Sequence, residues 1–362
     1  MDRRFLTIAL SWCMSMLVCR SVYAQTAPEN LLLKDFRPKS IYNTPRTQVE
    51  KAKFPVIDLH SHPYADSPEE VSRWAKTMDE VGIDKTMILT YSTGARFDSI
   101  YAVYSQYPDH FEVWCGFDYT GYDKPGFGKK AVAELERCVK VGATGVGELG
   151  DKGWGLFYSK PTKAEGMHID DPRMDPLLEK CAELKIPVSI HVAEPIWMYM
   201  PMDSTNDGLM NAYEWRLDNK KGIVDHAGMI DILERAVKRH PKTTFIACHL
   251  ANSSYNLSIL GVLFDRYPNL YADFAARYAE IAPIPRRVAR FFEMYQDRLV
   301  YGTDMGFDRY MYQTTFRILE TSDEHFYEND QFGYHWALNG FGLSDSILKK
   351  IYRENAQRIL GR

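Results

Sequence analysis

Several features are scarce in this 362-residue sequence, and each scarcity excludes a class of protein. The six cysteines have no spacing typical of a disulfide framework or a cysteine zinc site. Apart from one N-terminal stretch, no apolar run approaches the ~20 residues of a membrane-spanning helix. The 44 basic residues do not outnumber the 48 acidic ones. This balance argues against a nucleic-acid-binding protein, because binding to phosphates depends mostly on lysine and arginine. The remaining composition is that of an ordinary globular chain with many aromatic residues.

The N-terminal exception has the layout of a secretory signal peptide. Arg3 and Arg4 precede an apolar segment from residue 5 to residue 18, and Val22-Tyr23-Ala24 supplies small residues before a cleavage point. We therefore expect residues 1–24 to be removed and the protein to be exported, as a periplasmic or secreted protein. A membrane anchor is the rival interpretation, but the segment is short for a bilayer.

The rest of the chain divides into two regions. Residues 25–53 are polar and contain Pro28, Pro38 and Pro45, which predicts a linker or a strap lying over the domain. Residues 54–362 are predicted to form a single domain. Each remaining cysteine lies in an apolar or helical pattern, so we expect four buried free thiols. These are Cys115, Cys138, Cys181 and Cys248.

Within residues 54–362, short β-rich runs alternate with amphipathic helical patterns. Alternation of this kind implies parallel strand pairing. The predicted strands are Phe54–His62, Lys85–Thr90, Phe111–Tyr119, Thr144–Gly150, Pro187–Ala193, Thr243–Leu250, Leu270–Phe274 and Leu299–Asp304. Eight such units predict an α/β fold, a single (β/α)8 TIM barrel, with a doubly wound sheet as the alternative. Long loops follow strands 4, 5 and 8, at 151–171, 196–226 and 306–342, on the side where a barrel places its active site.

Histidine and aspartate residues end four of these strands. In Asp58-Leu59-His60-Ser61-His62, the two histidines share one strand face because side chains alternate along a strand. His191, His249 and Asp304 end the fifth, sixth and eighth strands. In a barrel these ends meet around one axis, and imidazole and carboxylate groups are the ligands that zinc-like ions accept.

With these residues in this order, the sequence resembles the amidohydrolase superfamily. Within it, the similarity is greatest to the amidohydrolase-related subgroup that includes aminocarboxymuconate-semialdehyde decarboxylase and related lactonases and hydrolases. The closing segment from Leu343 to Leu360 also resembles that subgroup's final helix.

The resemblance implies roles for individual residues. His60, His62 and His191 are implied metal ligands, and Asp304 is an implied ligand that also accepts a proton. His249 is implied to act on the substrate or water when one ion is bound, or to bind a second ion. Glu148, on the fourth strand, matches a bridging ligand of two-metal members. The implied cofactor is a divalent metal, for which we expect zinc, as one ion or two.

Candidate substrate contacts come from the loops after strands 5 and 7. Trp197 and Tyr199 lie in a segment rich in aromatic residues and methionine. Such a loop is suited to covering a bound ligand. Arg277 follows the seventh strand closely and suits a bidentate contact with a carboxylate.

These residues predict a metal-dependent hydrolase that activates water to cleave an ester, lactone or amide bond of a small molecule. The alternative is a non-oxidative decarboxylase of a small carboxylic acid that uses the same ligands. A metal-binding protein without turnover is a third interpretation, disfavoured by so many reactive side chains at one end of the strands. Expected partners are a small-molecule substrate and a second copy of the chain. We expect no nucleic acid, and no stable membrane association after signal cleavage.

Overall fold

The structure is a computed structural model that describes residues 27–160 and 162–362. The predicted signal peptide, residues 1–24, lies outside the described residues. The described residues divide into two units, one that ends at Phe36 and one that runs from Arg37 to Arg362. The described part of the first unit contains two short 3₁₀ helices, Pro28–Asn30 and Leu33–Asp35. The second unit contains residues 37–53 together with the whole predicted domain.

Eight strands form in the second unit, and each overlaps one of the eight predicted runs. They are β1 Val56–Ser61, β2 Ile83–Leu89, β3 Phe111–Trp114, β4 Val146–Asp151, β5 Val188–Val192, β6 Phe245–Ala247, β7 Leu270–Asp273 and β8 Leu299–Val300. All neighbouring pairs are parallel, in the orders β1-β2-β3 and β4-β5-β6-β7-β8. The predicted α/β class is therefore confirmed.

Backbone hydrogen bonds join these two runs of strands into a barrel. The N–H of Cys115 donates to the carbonyl of Gly145 at 3.0 Å, which connects β3 to β4. On the other side, Leu59 donates to Tyr301 at 2.9 Å and Thr303 donates to His60 at 3.1 Å, which connects β1 to β8. The sheet thus closes on itself, and the predicted (β/α)8 barrel is present.

Helices surround the barrel and begin and end where the sequence provides caps. The main ones are α1 Pro68–Val81, α2 Gly94–Tyr104, α3 Phe127–Val141, α4 Asp175–Leu184, α5 Leu209–Ala212, α6 His226–Arg239, α7 Ser258–Arg266, α8 Tyr278–Ile281, α9 Pro285–Met294, α10 Arg309–Glu320, α11 Asp345–Lys349 and α12 Asn355–Ile359. Ser67 caps α1 by accepting the N–H of Glu70, with Pro68 at the first helical position. Helix α3 ends at Gly142, whose φ of 138° lies in a region that favours glycine.

The core lies between the barrel and its helices. All six residues of β1 are buried, as expected for a parallel strand covered on both faces. The four cysteines at 115, 138, 181 and 248 are buried free thiols, which confirms that prediction. Among the described residues, no helix has both the length and the apolar character needed to cross a bilayer.

Candidate metal centre

The functional side chains lie at the carboxyl ends of the strands, where the backbone adopts left-handed conformations. Non-glycine residues with positive φ follow five strands. They are Tyr91, Ala193, His249, Leu250, Ala251, Asn252, Ala276 and Asp304. Such conformations cost free energy and persist only where surrounding contacts fix them, and they are enriched at functional sites. Here they turn the chain sharply at the end of each of these strands. The side chains at these turns can therefore point toward the barrel axis.

Four imidazoles meet at this end, and one nitrogen of each ring is held by an oxygen atom at the edge of the site. Nδ1 of His60 lies 2.9 Å from Oδ2 of Asp273. Nδ1 of His62 lies 2.8 Å from the carbonyl of Leu89, and Nδ1 of His249 lies 2.9 Å from that of Ala275. In His191 the nitrogen is Nε2, which lies 2.9 Å from the carbonyl of Ala193. Because these oxygens only accept, each of these nitrogens can donate a proton to its partner, which leaves the opposite nitrogen of each ring as the one available to a metal ion.

The inward nitrogens face two carboxylates, Glu148 and Asp304. One oxygen of Glu148 lies 2.9 Å from Nδ1 of His191 and 3.1 Å from Nε2 of His249. Its other oxygen lies 3.2 Å from Nε2 of His62 and 3.8 Å from Nε2 of His60. Glu148 therefore stands between a pair of histidines on β1 and a pair on β5 and β6.

Asp304 faces the β1 pair from the end of β8. Its carboxylate lies 3.3 Å from Nε2 of His62 and 3.9 Å from Nε2 of His60. The hydroxyl of Tyr64 donates to the same carboxylate at 2.8 Å.

This arrangement of donors fits a bound cation. Nε2 of His60 is fully buried and has no hydrogen-bond partner among the described residues. A buried polar atom without a partner costs free energy, and a metal ion would provide the missing partner. Two sets of residues that share no member, His60–His62–Asp304 and Glu148–His191–His249, each have all their ligand atoms within 4.8 Å of one another. The centre can therefore accommodate one ion or two, with nitrogen and oxygen ligands that suit zinc.

The electrostatics of the cluster also favour a positive charge. Burial alone would lower the pKa of His60, but the nearby carboxylates of Asp273 and Glu148 raise it well above its usual value. Burial would raise the pKa of Glu148, but the charges of His60 and His191 hold it well below its usual value. A His60 that gains a proton readily and a Glu148 that keeps its negative charge describe a site that stabilises cations, although burial and the charge of Arg277 lower the pKa of His249.

Two buried aspartates that support this cluster escaped the sequence prediction. Asp273 ends β7, and its second oxygen accepts the backbone N–H groups of His249 at 2.9 Å and Ala275 at 3.0 Å. Asp58 accepts from the backbone of His60 at 3.0 Å and from the hydroxyl of Thr303 at 2.6 Å, which fixes β1 against β8. Asp273 had a usable signal, because it ends a strand as the histidines do. Asp58 had no sequence signal of this role beyond its place in the histidine motif.

A cavity of about 370 Å³ opens above the cluster. Glu148, His191, His249 and Asp304 line its floor, and Arg277 lines one side. Its walls combine polar side chains, such as Lys152, Glu194 and Asn211, with aromatic and apolar ones. The aromatic and apolar residues include Tyr91, Tyr158, Met198, Trp215, Met305, Phe332 and Tyr334. The long loops after β4, β5 and β8 all contribute to this lining, as their predicted position required.

Among the three predicted substrate contacts, Arg277 alone belongs to this lining. Trp197 packs behind the wall, with its ring centroid 6.4 Å from that of Tyr334, and its indole donates to Asp207 at 2.6 Å. The hydroxyl of Tyr199 accepts the backbone N–H of Glu194 at 3.3 Å. These two aromatic residues thus support residues that line the cavity, and their neighbour Met198 lies in the wall instead.

The lining also contains an ion pair that the sequence did not indicate. Lys152, which follows β4 and is a weaker sequence candidate than Glu148 for a bridging metal ligand, is ion-paired with Glu194. The other oxygen of Glu194 lies 3.6 Å from Nε2 of His191. The ammonium of Lys152 lies 5.2 Å from the ring centroid of Trp215, so this side chain joins the wall to the cluster.

Comparison with known proteins agrees with this geometry. No curated protein matches the sequence. The structure resembles an uncharacterised TIM-barrel protein from Bordetella bronchiseptica, at 18% identity and a TM-score of 0.51, over 85% of this chain and 100% of the other. It also resembles a protein named amidohydrolase II, at 15% identity and a TM-score of 0.52, with the same coverage. At these identities the two structures support the barrel fold alone. The sequence model of the amidohydrolase family matches residues 57–362, and the chain therefore belongs to the amidohydrolase family.

Proposed function

We propose that this protein is a metal-dependent hydrolase that uses an activated water to cleave an ester, lactone or amide bond of a small molecule. One observation carries most of the argument. Four histidines at the carboxyl ends of β1, β5 and β6 each have their outer nitrogen bound to an acceptor, so that the other nitrogen of each ring faces one common centre. A site prepared in this way before any ligand arrives suits metal-assisted chemistry.

The residues divide naturally between two ions. His60, His62 and Asp304 form one group, and His191 and His249 form the other. Glu148 has one oxygen toward each group, which suits a bridging ligand. We therefore favour two zinc ions over one. When bound, divalent zinc would lower the pKa of a coordinated water toward 7 and polarise the carbonyl of the substrate.

Asp304 is the residue of the chain best placed to move a proton. It lies at the boundary between the histidine cluster and the cavity, and the hydroxyl of Tyr64 fixes one of its oxygens. A carboxylate in this position can take a proton from the attacking water and deliver it to the leaving group. Tyr64 restricts the rotation of the carboxylate and leaves its second oxygen directed at the cluster.

The size and lining of the cavity indicate the kind of substrate. A volume of about 370 Å³ is near the lower end for small-molecule sites. The aromatic and apolar residues of the walls favour a compact substrate with a flat or apolar body, and Arg277 provides a charged contact at one side.

Assays with purified protein would test this proposal. Protein freed of metal with a chelator should hydrolyse no member of a panel of aryl esters, lactones and amides. Zinc should restore hydrolysis of at least one member. Carbon dioxide release from small aromatic acids, with no hydrolysis of the panel, would instead support the decarboxylase alternative.

A further inference from the structure

The side chain that holds Arg277 in the cavity wall is a neutral amide. Oδ1 of Asn252 accepts from Nε of Arg277 at 2.9 Å and from Nη2 at 2.6 Å. A third donor, Nη1, is directed at the carbonyl of Ala276 at 3.2 Å. A paired contact of this kind fixes both the position and the plane of the guanidinium group.

Asn252 is itself held firmly by the end of β5 and by the first residue of α6. It is fully buried, and its Nδ2 donates to the carbonyls of Val192, the last residue of β5, at 3.0 Å and of Ala193 at 3.3 Å. The backbone carbonyl of Asn252 lies 2.9 Å from Nε2 of His226. Its φ of 52° is left-handed, a conformation that asparagine tolerates better than most residues. The amide group is thus fixed by contacts that do not involve Arg277.

The paired position opposite Arg277 is thus taken by a neutral group, and the one ion-pair partner of Arg277 among the described residues, Glu280, lies beyond hydrogen-bond distance. The carboxylate of Glu280 is 3.6 Å from Nε, and its Oε1 accepts the hydroxyl of Tyr334 at 2.8 Å. Asn252, by contrast, occupies the paired position that an aspartate or glutamate commonly takes opposite an arginine. The three bonds described above use three of the five N–H groups of a guanidinium. Among the described residues, Lys152 is the other cationic side chain in the cavity lining, and its charge is balanced by Glu194.

We propose that Asn252 is a positioning residue that presents the charged edge of Arg277 to the cavity, and that the substrate carries a carboxylate or a similar planar anion at that end. This inference rests on the proposed function, since it assigns a substrate class to the same cavity. The neutral amide orients the arginine without cancelling its charge, and the anionic group of the substrate completes the pair.

The test compares two ligands of nearly equal shape, benzoate and benzamide, by calorimetric titration of the zinc-loaded protein. The wild type should bind benzoate more tightly than benzamide. Asn252→Asp places a carboxylate against Arg277 in the same left-handed position, and we expect it to weaken benzoate binding roughly 10- to 100-fold, the size of a lost charged hydrogen-bond pair. Binding of benzamide should change little, whereas a purely structural defect would weaken both ligands.

Asn252→Gly and Asn269→Asp complete the comparison. Glycine relaxes the left-handed backbone and removes the amide, so it should also reduce the preference for benzoate even if the aspartate variant fails to fold. Asn269 is the matched control, since its amide donates to the backbone carbonyls of Val237, His240 and Thr243 instead of accepting from an arginine. Asn269→Asp should keep the wild-type preference.

Three results would overturn the inference. They are a wild type with no preference for benzoate, Asn252 variants that keep the full preference, and an Asn269→Asp variant that loses it equally. In the second case the carboxylate of benzoate would be held elsewhere, for example at the metal. Failure of the proposed function would appear differently, as absence of ester, lactone and amide hydrolysis by the wild type, while the benzoate titration would still decide the role of Asn252.

Discussion

The carboxylate of Asp273, at the end of β7, holds two histidines of the metal centre at once. Its Oδ2 is 2.9 Å from Nδ1 of His60, and its Oδ1 accepts the backbone N–H of His249 at 2.9 Å. This single buried side chain therefore fixes the proton position in one imidazole and the backbone of another. Hydrogen bonds of this kind orient metal ligands and raise their basicity.

Asp273→Asn should weaken metal binding while leaving all proposed ligands in place. The asparagine keeps the size of the side chain but loses the charge that favours a protonated Nδ1 on His60. We expect metal affinity to fall roughly 10- to 100-fold, measured by competition with a chromophoric chelator. Asp231→Asn, on the exposed face of α6, is the control and should bind metal normally. Unchanged affinity in Asp273→Asn would show that the hydrogen bond to His60 has no influence on the ion.

Replacing both His60 and His62 by alanine should abolish bound metal and activity without unfolding the barrel. The two side chains lie at the active end of β1, whereas the stability of this fold depends mainly on the core and the opposite end. Elemental analysis and circular dichroism of the same preparation would test this. A folded double variant that retains metal would refute the ligand assignment.

Glu148→Gln should change the number of bound ions. Glu148 contacts His62 with one oxygen and both His191 and His249 through the other, so we place it between two ions. The amide is a weaker ligand and carries no charge to offset two cations. We expect the metal content to fall from two ions per chain to one or fewer. If wild type and variant both contain a single ion, Glu148 does not bridge.

Asp304→Asn should damage catalysis more than metal retention. The variant keeps an oxygen ligand and the histidines, but it cannot accept a proton. We expect kcat to fall by ~10²–10⁴, the usual contribution of a general base, with a smaller change in KM. Steady-state kinetics and metal analysis should be performed on one preparation. A near-normal kcat would remove Asp304 from the proton transfer.

The stability of the protein should depend on pH through Asp323, away from the active site. Burial would raise its pKa, but hydrogen bonds from Thr47 and from Arg317 outweigh burial and lower it. A carboxyl whose pKa is lower in the folded state stabilises the protein above its ordinary pKa near 4, and that contribution disappears as the pH falls through the folded value.

Asp323→Asn should therefore lower the free energy of unfolding at pH 7 by about 1–3 kcal/mol and reduce its loss on acidification below pH ~4. Urea titrations between pH 7 and pH 2.5 would measure both effects. Asp231→Asn should match the wild type throughout this range. An Asp323→Asn protein with wild-type acid sensitivity would contradict the assignment.

The strands, and the residues proposed here as metal ligands, were predictable because each has a local signal. A buried strand such as Pro187–His191 is visible as an apolar run, and its final histidine stands out against that run. The carboxyl ends of parallel strands meet at one end of a barrel, so the spatial cluster followed from topology. For the same reason Glu148 could be placed near the histidines, although its position between two pairs could not.

The residues that hold the cluster in place were harder to predict from the sequence. The role of Asn252 depends on Arg277, which lies 25 residues later, and on carbonyls 59 and 60 residues earlier. Contacts over such separations leave no pattern in one sequence. The substrate loops were placed correctly after β4, β5 and β8, but alternation within a loop does not reveal which side faces inward. Met198 lies in the cavity wall, whereas the predicted Trp197 and Tyr199 lie behind it.

The most direct test of the account is a zinc titration of the chelated protein, followed simultaneously by hydrolysis of a responsive ester or lactone. We expect activity to rise with bound zinc and to level off near two ions per chain. Hydrolysis that is complete without metal, or a protein that binds no zinc at this centre, would contradict the central claim that the four inward-facing histidines form a catalytic metal site.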